Sequence, residues 1–158
     1  MPAQFRIPVA VSDPAAEIAI EPLCDPALHG HNAVAVTMDP RRHGKPYRYL
    51  IIGCIAGPRP CNSVTGVCRL DVTDGSVVMF HDLPTSIPAG MAAFVPRAGA
   101  ADDDETDGVW LLDFLRADGH ALIIVMSGRS FTEIARVTVP HRHCISLRNT
   151  WLPHTLGG

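Results

Sequence analysis

Late in the chain three apolar runs, 109–115, 121–126 and 134–139, are separated by Asp118-Gly119 and by Ser127-Gly128-Arg129-Ser130. Each run is short, rich in Val, Ile, Leu, Trp or Phe, and bounded by turn formers, which is the pattern of an antiparallel meander. Asp118-Gly119 supplies the positive φ that a tight hairpin demands. Pro140 has no N–H to give a ladder, so the pattern predicts that the chain leaves the sheet there. Upstream the same punctuation recurs. Residues 5–11 read as a strand, 14–20 alternate weakly, and 33–38 form an apolar run closed by Asp39-Pro40. Residues 47–55 form a stronger strand, with Tyr47, Tyr49 and Ile51 on one face and Arg48, Leu50 and Ile52 on the other. Residues 66–72 and 76–80 predict a hairpin around Thr73-Asp74-Gly75, 57–65 and 81–90 read as loops, and 91–96 as a short strand. No segment reads as a helix. Seven or eight short strands at near-regular spacing predict an all-β sandwich, barrel or propeller.

Composition narrows this further. With 158 residues, 47% hydrophobic and 18% charged, the chain is long and apolar enough for one packed core. A formal net charge of −3 gives no electrostatic case for nucleic acid or an anionic membrane, and Arg41-Arg42-His43-Gly44-Lys45 is too short to change that. The five cysteines (Cys24, Cys54, Cys61, Cys68, Cys144) are odd in number and contain no CxxC pair, so they read as reduced, mostly buried thiols. No apolar run approaches the roughly 20 residues of a membrane span. Residues 1–20 lack a basic start followed by an apolar core, so a soluble chain without a signal peptide is expected, unless a targeting segment belongs to a part of the gene not present. Asp102, Asp103, Asp104, Glu105 and Asp107 read as a solvated surface loop. Trp110 and Trp151 read as core anchors. No Gly-x-Ser-x-Gly or phosphate-binding glycine pattern is present.

Four segments in register carry a resemblance. They are Asp39-Pro40-Arg41-Arg42-His43-Gly44-Lys45-Pro46-Tyr47-Arg48-Tyr49, Cys68 to Gly75, Ala93-Phe94-Val95-Pro96-Arg97 with Asp107-Gly108-Val109-Trp110 after the acidic loop, and Ala135-Arg136-Val137-Thr138-Val139-Pro140-His141-Arg142. In order and spacing, from about Phe5 to Leu156, they resemble the carotenoid cleavage oxygenases. That resemblance implies a seven-bladed β-propeller with one Fe(II) on its axis, held by four His from different blades. It implies O2-dependent cleavage of a double bond in a carotenoid or apocarotenoid. It covers the last third or so of the family's length. The expected architecture is therefore about two blades plus the C-terminal tail over 1–158, an incomplete propeller and a fragmentary gene product. Plastid or cytosol is the expected compartment, with peripheral membrane contact only in a full-length form.

The resemblance also makes the metal site doubtful. Three of the family's four iron-binding His fall upstream of any residue here. The fourth belongs to a Gly-Phe-His-Gly-x-Trp motif that falls on Ser146-Leu147-Arg148-Asn149-Thr150-Trp151, so the His slot is Arg148. A guanidinium is always protonated and has no lone pair to give a metal. The Glu that supports an iron-binding His in the family falls on Val34. His141, His143 and His154 remain as a substitute cluster for Zn or Ni, His29 and His31 as a weaker one, and His43, His81 and His120 as turn or strand-end residues. No catalytic or cofactor-binding residue is assigned, and the chain by itself is expected to be inactive. The competing expectation is a non-catalytic β-rich module that binds an apolar ligand or a partner.

Overall fold

The computed structural model describes residues 5–6, 21–22, 32–55, 66–80, 86–142, 149 and 151. The expectations placed on 7–20, 57–65 and 81–85, and on Cys24, Cys61 and Cys144, lie outside them. Eleven strands are described: β1 (Phe5–Arg6), β2 (Glu21–Pro22), β3 (Asn32–Thr37), β4 (Tyr49–Ile55), β5 (Gly66–Asp71), β6 (Val77–Phe80), β7 (Ser86–Pro88), β8 (Ala93–Pro96), β9 (Gly108–Arg116), β10 (His120–Ser127) and β11 (Glu133–Arg142). A 3-10 turn at Pro40–Arg42 is the one helical element among the described residues. The fold is all-β. All pairings are antiparallel. One sheet runs β3-β4-β5-β6, and a second runs β11-β10-β9 with both β7 and β8 on the far side of β9.

The period-two alternation of β9 explains how the sheets meet. Trp110, Leu112 and Phe114 are buried on one face, while their neighbours are half-exposed. Opposite them on β10, Leu122, Ile124 and Met126 turn the same way. This face packs on Ile51 and Val67 of the first sheet, together with Phe94 and Phe131. Phe80 of β6 meets Phe114 edge-on at 6.0 Å, and Phe94 tilts against Trp110 at 4.9 Å. The other face of the first sheet buries Leu50, Ile52, Cys68 and Leu70 in a separate cluster. Strand β4 is thus buried on both sides, divided between Ile51 and the Leu50/Ile52 pair as its alternation predicts.

Local chemistry fixes the turns. Gly119 takes φ +83° in the β9–β10 hairpin, and the Asp118 carboxylate accepts the His120 N–H at 3.0 Å. In the β5–β6 turn, Asp71 and Asp74 accept the N–H groups of Thr73 and Ser76. Gly108 is required by contact. A Cβ there would sit 2.3 Å from the Val95 carbonyl oxygen and 2.8 Å from the Phe94 ring.

Three expectations change. Strand β11 does not stop at Pro140 but continues to Arg142, where it pairs with His120. It is the outermost strand of its sheet, and the register shifts between His120 and Leu122, so the missing N–H is absorbed at an irregular edge. The loop expected over 81–90 contains β7, which with β8 makes a divided strand along β9. The acidic loop is not wholly solvated. Asp102 and Asp103 are exposed, but Glu105 is 7% exposed and reaches across to the first sheet.

Glu105 is a clamp between the sheets. Its carboxylate accepts the backbone N–H of Arg48 at 2.8 Å and of Tyr49 at 3.2 Å. Replacing Glu105 with Ala strands two backbone donors at the sheet junction, and about 2–4 kcal/mol of stability should be lost. Urea unfolding midpoints at constant m-value check this. A second expectation concerns pH. Asp107 is held below the ordinary carboxylate range, chiefly by the Arg97 guanidinium and with an opposing contribution from desolvation. Asp104 is lowered mainly by the Thr106 hydroxyl and N–H. A depressed folded-state value means stability that is present above the ordinary carboxylate value and lost as pH falls through the folded one. Acid unfolding should therefore set in below the ordinary range, and Asp107→Asn should flatten the pH dependence of the melting temperature there.

Candidate functional site

A cleft of about 310 Å³ opens where the end of β3, the 3-10 turn, the β7–β8 connection and the tail converge. Val36, Thr37 and Met38 line one side, Pro40 and His43 a second, and Met91, Ala92, Ala93 and Phe94 a third. Asn149 and Trp151 close it from the tail. The Asn149 side-chain amide donates to the Met91 carbonyl at 2.9 Å and approaches the Asp113 carboxylate at 3.5 Å, which ties the tail to the wall of the cleft.

The turn that carries Pro40 and His43 is built around a buried ion pair. Asp39 is fully buried, accepts the Arg41 N–H at 3.0 Å and pairs with the Arg41 guanidinium at 2.7 Å. Arg41 spends its remaining donors on the carbonyl oxygens of Ala101 (3.0 Å) and Asp104 (2.9 Å) in the acidic loop, and its guanidinium stacks 5.4 Å from the Phe94 ring centroid. One fork therefore satisfies a buried carboxylate, anchors a loop of the other sheet and backs an aromatic wall of the cleft. Arg69 plays a parallel part nearby. It donates to the carbonyls of Gly128 and Arg129 at 2.9 Å and lies over the Tyr49 and Phe131 rings. Burial pulls its guanidinium below the ordinary value. Phe131, at φ +54°, is held in the left-handed region by these contacts and by its N–H to Ser127.

The expected site residues are only partly brought together. Arg148, His143, His154, His29, His31 and His81 lie outside the described residues. Val34 lies on β3 at a register shift, between the pairs Ala33–Cys54 and Ala35–Gly53. His141 is exposed near the end of β11, and His120 sits against Asp118 at 3.2 Å in the hairpin. His43 is the one described histidine that lines the cleft. Trp110 is a core residue at 1% exposure, as expected, but Trp151 is not: it is 46% exposed at the cleft. Among the described residues no three His, Cys, Asp or Glu side chains come together in a metal-binding group. Arg148, which the resemblance puts in the one iron-ligand slot expected within this chain, has no lone pair to give a metal. Asn149, Arg41 and Glu105 were not anticipated in these roles.

Removing the Arg41 guanidinium leaves the Asp39 carboxylate buried and unpaired. Arg41→Ala should cost about 3 kcal/mol or more, read from chemical denaturation, whereas Arg48→Ala, which removes a solvent-exposed guanidinium, should lower the unfolding midpoint less.

The family model of the retinal pigment epithelial membrane protein, RPE65, matches residues 2–153. Carotenoid cleavage dioxygenase 8 homolog B, chloroplastic, of Oryza sativa is 30% identical over 150 residues, covering 95% of this chain and 25% of the relative. Carotenoid cleavage dioxygenase 8, chloroplastic, of Arabidopsis thaliana is 31% identical over 150 residues, with 95% and 25% covered. Apocarotenoid-15,15'-oxygenase of Synechocystis is 26% identical over 153 residues, with 94% and 28% covered. Among solved structures, cobalt-substituted Synechocystis apocarotenoid oxygenase superposes with a TM-score of 0.71 at 20% identity, over 87% of this chain and 28% of that one. An apocarotenoid oxygenase/RPE65 chimera also gives 0.71, at 19% identity and the same coverage. The chain spans about a quarter of the length of the curated relatives it matches, less than the third expected from the resemblance.

Proposed function

The chain belongs to the RPE65 family of carotenoid and apocarotenoid oxygenases, and from that membership we propose that it is a pair of late propeller blades with their tail, which does not cleave a carotenoid by itself. The observation that carries this reading is the donor set. By the resemblance, Arg148 stands where the family pattern has its fourth iron-binding histidine, and the described residues gather no alternative ligand group. The packing supports a structural role. Each sheet is a complete antiparallel meander, and the two are locked face to face by the Phe94–Trp110 core and by Glu105 and Arg41. The substrate class in any larger assembly is a carotenoid or apocarotenoid, after the relatives' names, and the plant relatives' chloroplastic designation favours a plastid. No helix among the described residues is long and apolar enough to cross a membrane.

A second reading, a non-catalytic module for an apolar ligand, draws on one specific feature: the cleft is bordered by the exposed apolar side chains Val36 and Trp151.

The test is anaerobic purification in the presence of Fe(II), with metal content measured beside an Arg148→His variant and apocarotenoid turnover followed by loss of polyene absorbance. Substoichiometric iron and no turnover are expected in both proteins, because a single restored histidine does not make a four-histidine site. Stoichiometric iron or turnover in the unmodified chain overturns the proposal.

A further inference from the structure

We propose that the 310 Å³ cleft is a binding site for a short apolar molecule with a single hydrogen-bonding end, such as a medium-chain carboxylic acid, with His43 at the polar end. This deepens the second reading above, and it rests on that reading.

Three observations converge on it. The first is exposure. Large apolar side chains left open to water are few among the described residues, and Val36 (39% exposed) and Trp151 (46%) both border this one cleft. Exposed apolar side chains lining one concavity are a common mark of a ligand site. The second is the sorting of polar groups. Asn149 has its amide engaged by Met91 and Asp113, so it builds the wall instead of offering a donor to a guest. His43 stands on the exposed turn at the rim, and an imidazole meets a carboxylate or hydroxyl as hydrogen-bond partner in either protonation state. The third is size. The volume lies at the bottom of the roughly 300–1,000 Å³ range of small-molecule sites, too small to enclose a full-length carotenoid. The walls do not widen easily, because Phe94 is backed by Trp110 and Arg41, and the turn is pinned by the buried Asp39.

The experiment is isothermal calorimetry of the whole chain with decanoic acid, kept below its micelle concentration, beside decanol and octadecanoic acid. Intrinsic fluorescence serves as a local reporter, since Trp151 borders the cleft and Trp110 is buried. Saturable one-site binding of decanoic acid is expected, with a change in emission that Trp151→Phe abolishes. Octadecanoic acid should bind no more tightly than decanoic acid. Val36→Trp, a change on an exposed strand position that fills the cleft, should weaken binding at least tenfold with an unaltered circular dichroism spectrum and melting temperature. His43→Ala should weaken the acid about tenfold and the alcohol less. Absence of saturable heat, unchanged binding in Val36→Trp, or affinity that keeps rising with chain length overturns the proposal; unchanged acid binding in His43→Ala overturns the polar-end assignment. Iron bound by the purified chain defeats the non-catalytic reading separately, so the two failures are told apart.

Discussion

The junction between the sheets depends on carboxylates and guanidinium groups that accept or donate to backbone rather than to each other alone. Glu105 completes the hydrogen bonding of Arg48 and Tyr49 at the start of β4, and Arg41 completes that of Ala101 and Asp104 in the loop from which Glu105 comes. The arrangement is reciprocal. Each sheet lends the other a charged side chain that satisfies main-chain groups at the junction. Apolar packing supplies most of the attraction between the sheets, but it is non-directional. The reciprocal clamp is what sets their registration, and with it the shape of the cleft that opens between β3, the 3-10 turn and β8.

The cleft and the resemblance bear on each other. Family membership brings an expectation of iron chemistry, the resemblance puts Arg148 in the one ligand slot expected here, and the described residues form an apolar, Met- and Trp-bordered cleft with one histidine at its rim. Fold and site are separable in this way: a scaffold is retained by its core pattern, and chemistry by a handful of side chains.

Much of the architecture was legible because it is local. The alternation in β9 and β10, the Asp-Gly turns and the two faces of β4 all follow from neighbours two or three residues apart. What the sequence concealed depends on distant partners. Glu105 looks like one more acid in an acidic run, and only contacts 56 and 57 residues away bury it. Trp151 has the same residue-level signature as Trp110, yet one is a core anchor and the other borders a cleft. Strand β7 is three residues long with a terminal proline, too brief to stand out from a loop. Proline as a strand breaker misled at Pro140 because a boundary strand has a side that owes no hydrogen bond.

That boundary strand has a consequence for crowding. Strand β11 is ten residues long and presents Ile134 and Val137 to water, which would ordinarily invite another chain to extend the sheet. Its register slips at both ends, once opposite the His120–Leu122 step and once at Val125–Met126, and Pro140 interrupts its donors. Only a short regular stretch is left between these irregularities, and bulged, interrupted edges are a common way of discouraging edge-to-edge pairing. The features that discourage such pairing thus lie in the same strand whose exposed Ile134 and Val137 would favour it.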